Sequence, residues 1–265
     1  MPRRSLLGSA DLPRPTSRTW FSRSFFLGAV GILLLTSVGC DLGTYSSRYS
    51  ERLPQLQRRG ENASYLNNYQ SLEISTVISG APVAEGNSTI NVGAQIRLPM
   101  IFDNESRKLG PNDPPSIAAP PGMQLPIGLA YERYITNENS DRLPIYFYLI
   151  AIPTEKADLT TVETDIDTVL ATIVENSGGW KSLSVDTLDD STLDYRALRV
   201  SQAQPFVVQL VDNAPQPQTL EGQLHFYART VGDYHLIFVF RYPSQVADSL
   251  NFPAAIEASL GTLKQ

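Results

Sequence analysis

The residues able to do chemistry are few. The chain of 265 residues holds one cysteine, Cys40, and two histidines, His225 and His235. Both histidines fall on a hairpin read from residues 220–230 and 234–242 around a tight turn at 231–233. In that register His235 faces a residue near Arg229, which leaves His225 about four residues, roughly 13 Å, along the partner strand. Two ligands of one ion must each lie within about 2–2.2 Å of it. The histidines are therefore expected to be strand residues with satisfied imidazoles, and no metal site is expected. Asp186, Asp189, Asp190 and Asp194 form an acidic turn, but without the alternating ligands and central glycine of a calcium loop it reads as a solvated turn. The chain has no G-x-S-x-G elbow, P-loop, H-E-x-x-H or G-x-G-x-x-G. No catalytic, metal or cofactor-binding residue is assigned. Tyr131, Tyr134, Tyr146, Tyr148, Trp180 and Phe206 are candidates to line a groove, with core packing the commoner role for such residues.

Cys40 is the exception, because of what precedes it. Residues 25–40 read FFLGAVGILLLTSVGC, an apolar run ending on the cysteine. A bilayer-spanning helix needs roughly 20 apolar residues, whereas about 10–14 is the length of a signal-peptide core. Arg3, Arg4, Arg14, Arg18 and Arg23 lie upstream against the single acid Asp11, a bias that sets orientation across a membrane. The order of basic segment, apolar core, small residues and cysteine resembles a bacterial lipoprotein signal, with Ser37, Val38 and Gly39 in the three lipobox positions. That resemblance implies cleavage between Gly39 and Cys40 and diacylation of Cys40. Ser37 departs from the leucine usual there. In enterobacterial lipoproteins an aspartate following the cysteine, as Asp41 does here, favours inner-membrane retention. Acyl chains contribute about 0.8 kcal/mol per buried methylene, and two chains hold where one does not. With its thiol consumed, the domain has no disulfide, cysteine–zinc or thiol redox chemistry.

Charge narrows the partners. The chain has 21 basic and 27 acidic residues; without residues 1–39, 16 and 26 remain, a net charge of −10. No basic patch is present to track phosphates, so nucleic acid is not an expected partner. Attachment to an anionic bilayer would rest on the acyl chains.

The element pattern gives the rest. Residues 1–39 read as signal peptide, 40–70 as lipidated N-terminus and tether, and 71–265 as one globular domain. Residues 72–78 and 89–98 alternate as strands. Residues 110–128 are proline-rich, a stiffened surface loop. Strands are expected at 129–135, 145–152, 180–185, 193–200, 204–211, 220–230 and 234–242. Residues 145–152, IYFYLIAI, are uninterrupted apolar sequence and point to a strand covered on both faces. Residues 161–177 form an amphipathic helix, with Thr160 and Glu163 as a capping box and Gly178-Gly179 as its stop. Residues 252–263 form a second helix, capped by Asn251, with Pro253 in its first turn.

The expected class is α+β: a mainly antiparallel sheet of about seven strands with the internal and C-terminal helices packed on it, and an α/β/α sandwich as its fuller form. The element order resembles the Mog1/PsbP sandwich. The chain also resembles uncharacterised envelope lipoproteins of planctomycete-type bacteria, through the lipobox, the Pro-rich loop, Trp180 after a helix, and Arg241-Tyr242-Pro243. These readings imply a protein lipid-anchored to the cell membrane or outer membrane, facing the periplasm or exterior. Its expected role is a non-enzymatic module that binds an envelope protein or small ligand. A metal-independent hydrolase using two carboxylates, or a structural envelope protein, are the alternatives.

Overall fold

The computed structural model of the chain describes residues 64–75, 89–109, 127–138, 140–174, 178–189, 191–210 and 214–265, with scattered positions at 53, 60, 113, 114, 117 and 119–123. Gly39 and Cys40 lie outside the described residues, as do the apolar run and Asp190.

Nine strands and three helices make up the described fold: β1 (Leu66–Ser75), β2 (Thr89–Pro99), β3 (Arg107–Lys108), β4 (Ile127–Thr136), β5 (Arg142–Pro153), α1 (Leu159–Leu170), β6 (Lys181–Asp186), β7 (Thr192–Val208), β8 (Gln216–Val231), β9 (Tyr234–Pro243), α2 (Ser244–Ser249) and α3 (Phe252–Leu260). β1 and β2 form a two-stranded sheet. The others form a seven-stranded sheet in the order β3-β4-β5-β9-β8-β7-β6, with every pairing antiparallel.

Paired residues share a face of the sheet, so the register sorts the side chains. One transverse row runs Glu132, Tyr146, Arg241, Leu224, Val200. Its face is covered by α1: Trp180 packs against Phe226 with ring centroids 6.3 Å apart, and its indole N–H donates to the Glu163 carbonyl at 3.3 Å. Ile117 lies on the same face, where its carbonyl accepts from the Tyr148 hydroxyl at 2.8 Å. The opposite face carries Phe147, Phe240 and Tyr242. Phe102 lies 6.0 Å from Phe147, and Phe252 of α3 lies 4.8 Å from Tyr242. β1–β2 joins α3 in that layer: Gln95 and Lys264 exchange backbone hydrogen bonds at 2.9 Å, and Ser259 donates to the Arg97 carbonyl at 2.6 Å. The fold is thus sheet-rich, and one of its outer layers mixes sheet and helix, so a plain α/β/α sandwich does not describe it.

Several elements differ from expectation for local reasons. α1 starts at Leu159 and is capped by Asp158, whose carboxylate accepts from the Thr161 N–H at 2.7 Å, so the Thr160–Glu163 box does not form. Aspartate is a better N-cap than threonine. The helix stops at Leu170, before the β-branched run Thr172, Ile173, Val174. Asn251 makes no cap bond; at φ 46° it provides the left-handed turn between α2 and α3. β1 begins at Leu66 rather than at 72.

β7 is one 17-residue strand where two were expected. β6 covers only Thr192–Ala197 of it. Pro205 therefore sits where the outer edge of β7 is no longer paired to β6, and a missing N–H is tolerated there. The far end of β7 then curls across the α1 face. Just beyond it Gln209 exchanges backbone hydrogen bonds with Arg142, at the start of β5, at 2.8 and 3.0 Å. Arg241 locks the curl from below: its Nε donates to Gln204 Oε1 at 3.1 Å and its Nη2 donates to the Pro205 carbonyl.

Candidate functional site

The curl of β7 closes a cleft of about 370 Å³ against β4 and the start of β5, lined by Arg107, Glu132, Tyr134, Arg142 and Gln209, with Glu105 and Arg133 at its side. That volume suits a small molecule. β4 sends Glu132 and Tyr134 into it because the two are spaced by two along one strand. β5 brings Arg142 at its first residue, and the Arg142–Gln209 backbone pair fixes that residue's main chain.

The charges are mostly committed. Glu132 is 3% exposed. Its Oε2 accepts from Arg107 Nε at 2.9 Å and lies 2.7 Å from Arg107 Nη2; its Oε1 accepts from the Tyr134 hydroxyl at 3.1 Å. Arg107 also bonds Asp113 at 2.6 Å. Partial burial works against the charge on Arg107, but Glu132 and Asp113 outweigh it and hold its pKa above the ordinary value. Burial, joined by the Glu132 charge, pushes the Tyr134 phenol up to about 12. Arg133 is tied to Glu105 at 2.6 Å and to Asp103 at 3.6 Å. Arg142 differs: it forms no ion pair with a described carboxylate, and its guanidinium lies 5.4 Å over the Tyr134 ring.

Behind the cleft, one strand inward from Glu132 on the same face, stands Tyr146. It is fully buried, and its hydroxyl has no hydrogen-bond partner among the described residues. Burial is the chief cause that raises its pKa, and the Glu132 charge adds to it. Tyr146 stacks on Tyr148 at 6.0 Å and lies beneath Arg241, whose guanidinium is 5.1 Å from its ring and 4.8 Å from that of Phe206. Of the aromatic set singled out in the sequence, Tyr134 lines the cleft. Tyr146, Tyr148 and Phe206 do not line it but are buried in the core around Arg241, Trp180 packs under α1, and Tyr131 turns to the other face beside Phe147.

The histidines stand on opposite faces of the sheet. His235 pairs with Thr230, and its ring nitrogens contact Thr230 Oγ1 at 2.9 Å and the Ala157 carbonyl at 3.0 Å. His225 pairs with Phe240 and lies between the hydroxyls of Tyr227 and Tyr242 at 3.3 and 3.4 Å. In the acidic turn Asp189 accepts from Thr187 at 2.5 Å and Asp194 accepts from Ser184 at 2.6 Å, so local hydroxyls occupy both carboxylates. Among the described residues no group of three or more His, Cys, Asp or Glu is placed to hold a metal.

Sequence reasoning did not find Glu132, Arg142 or Gln209, because β4, the start of β5 and the end of β7 meet only through the curl. One signal was available. Gly222 sits inside a long strand, and a glycine there marks a close approach. A Cβ on Gly222 would come within 2.7 Å of Phe206 and 2.8 Å of Gln204. Comparisons with protein-family models, with curated proteins and with solved structures find no match to this chain.

Proposed function

We propose that this is a lipid-anchored envelope protein whose folded domain is a binding module, with the cleft at Glu132, Tyr134 and Arg142 as its ligand site. The lipobox at Ser37, Val38 and Gly39 and the diacylation of Cys40 that it implies support the anchor. A Mog1/PsbP-like plan belongs to this reading and is supported by helices on both faces of the main sheet. The observation that carries the choice of binding over catalysis is the state of Glu132. Both of its oxygens are engaged, Oε2 by Arg107 and Oε1 by Tyr134, and the residue is buried. A general acid or base needs an oxygen free to reach the substrate proton; Glu132 instead serves to hold Arg107 and Tyr134 in place.

A second reading keeps one specific support: Glu105 and Glu132 line the same cleft, as a carboxylate hydrolase would require. Against it, Glu105 is held by Arg133.

Two experiments test the proposal. Cys40→Ala is expected to move the protein from the membrane to the soluble fraction, or to leave it unprocessed. Unchanged attachment with normal processing refutes the anchor. Native mass spectrometry and co-purification of the solubilised lipoprotein are expected to yield a bound small molecule or an envelope neighbour. Hydrolytic turnover lost in both Glu105→Gln and Glu132→Gln would replace the module by the enzyme.

A further inference from the structure

Resting on the reading of this chain as an anchored module, we infer that the outer face of β1–β2, at Tyr69 and Met100, rests on the surface of the lipid bilayer that holds Cys40. The face lies where the chain enters the domain. Residues 41–63 separate Cys40 from Ser64, and a coil of that length spans on the order of 25–30 Å. The part of the domain's surface beside Ser64 is therefore kept nearest the anchor. Met100 stands at that point: its N–H donates to the Tyr65 carbonyl at 2.6 Å. Among the described residues Met100 is the most exposed large apolar side chain, at 53%, and Tyr69 follows at 38%. Tyr65 and Ile101 beside them are half-buried. One exposed apolar residue needs no explanation; four together at the anchored end read as a contact surface.

The strand register sets the orientation. Ile96 and Leu98 of β2 are buried, so Arg97 between them points outward, and Tyr69 pairs with Arg97 on that same outer face. Two cations lie near the Tyr69 ring, Lys264 Nζ at 4.3 Å and Arg97 Cζ at 5.8 Å from its centroid. A tyrosine with a lysine and an arginine beside it suits headgroup depth, where the ring is half in hydrocarbon and the cations reach toward water. The face is also firm. Asn67 donates to the Pro99 and Phe102 carbonyls across the turn that carries Met100, and Phe102 is buried against Phe147 and Phe252. Arg97 in turn donates to the Asn67 and Leu66 carbonyls. Little further ordering is needed on contact. Charge is not what draws the face to lipid: Arg97, Lys264 and Arg133 stand around it against Asp103, Glu105 and Asp189. With these balanced, the contact rests on the apolar and aromatic groups and does not require anionic lipid.

Spin labelling of the lipidated full chain tests this, because acylation of Cys40 uses the only native thiol. Nitroxides are placed at Met100→Cys, at Tyr69→Cys and, as the control, at Ile173→Cys, an exposed apolar site just beyond α1 on the other side of the main sheet. In phosphatidylcholine vesicles the ratio of oxygen to nickel-chelate accessibility is expected to be several-fold higher at the Met100 and Tyr69 positions than at the Ile173 position. Added phosphatidylglycerol should change it little. Equal ratios at the three positions would overturn the docking face, and so would a difference that appears only with phosphatidylglycerol. Spin–spin broadening at the Met100 position that grows with protein density would show that a second copy covers the face instead of lipid. Mass spectrometry of the same sample separates the two readings. An acylated Cys40 with aqueous labels removes the docking face alone, whereas a bare Cys40 thiol removes the anchor and the docking face with it.

Discussion

His225 is held neutral by its surroundings. It is 5% exposed, packed edge-on by Tyr227 and Tyr242, and burial followed by the nearby Arg199 charge pushes its pKa down to about 4. An unfolded histidine titrates near 6.5. The unfolded chain therefore binds more protons between these values, so this group's contribution to stability is full above about pH 6.5 and is lost as pH falls toward 4. The expected loss approaches about 3 kcal/mol at and below pH 4, on the scale of 1.36 kcal/mol per pKa unit. Denaturant midpoints measured from pH 7.5 to 4 should show it, and His225→Phe should flatten that part of the curve. A slope identical in the variant would show that other groups drive the acid response. Gly222 gives a second prediction at this scale. Gly222→Ala places a methyl within 2.7 Å of Phe206 and 2.8 Å of Gln204, and overpacking of this kind costs typically about 1–3 kcal/mol. Calorimetry should record a lower Tm; an unchanged Tm would mean that the β7 curl yields more easily than its contacts imply.

Among the elements, α1 is joined to the sheet by Val162, Ile166 and Leu170, all buried, and by Arg196, which reaches Glu163 at 2.9 Å. The ion pair is partly solvated and contributes little; the apolar stripe carries the attachment. Ile166→Ala is expected to cost about 2–5 kcal/mol, whereas Arg196→Gln should change the unfolding midpoint by less than about 1 kcal/mol. The reverse order would show that the helix is held electrostatically. The end of α3 meets β6 just as closely. A Cβ on Gly261 would overlap the Asp186 carbonyl oxygen, which is backbone and cannot swing aside. Gly261→Ala should therefore destabilise the chain by more than Gly222→Ala, where the obstacles are side chains. Equal effects would mean that α3 shifts freely on the sheet.

Over the whole domain, the C-terminal residues tie the two-stranded sheet to the rest. Lys264 pairs with Gln95, the Thr262 hydroxyl accepts from the Arg97 N–H at 2.9 Å, and Tyr195 donates to the Leu260 carbonyl at 2.7 Å. Deleting residues 262–265 is expected to raise amide exchange in β1 and β2 while β5 and β9 keep their protection. Uniform protection, or uniform loss, would show that the two sheets open as one unit. The sequence alone determined the strands that pack both ways, the long β8–β9 hairpin and the apolar stripe of α1. Each of these is written in a local period of two or near 3.6 residues, or in an unbroken apolar run such as 145–152. The run that resembles a lipoprotein signal, ending on Cys40, is likewise a linear pattern. The cleft depended on the tertiary structure. Glu132, Arg142 and Gln209 become neighbours only because β7, released from β6 after Ala197, bends back over Arg241 to reach the start of β5. No local period records a contact between residues that far apart in the chain. That Arg107 pairs with Asp113 and Glu132, and Arg133 with Glu105, was likewise decided by where these side chains come to lie in space.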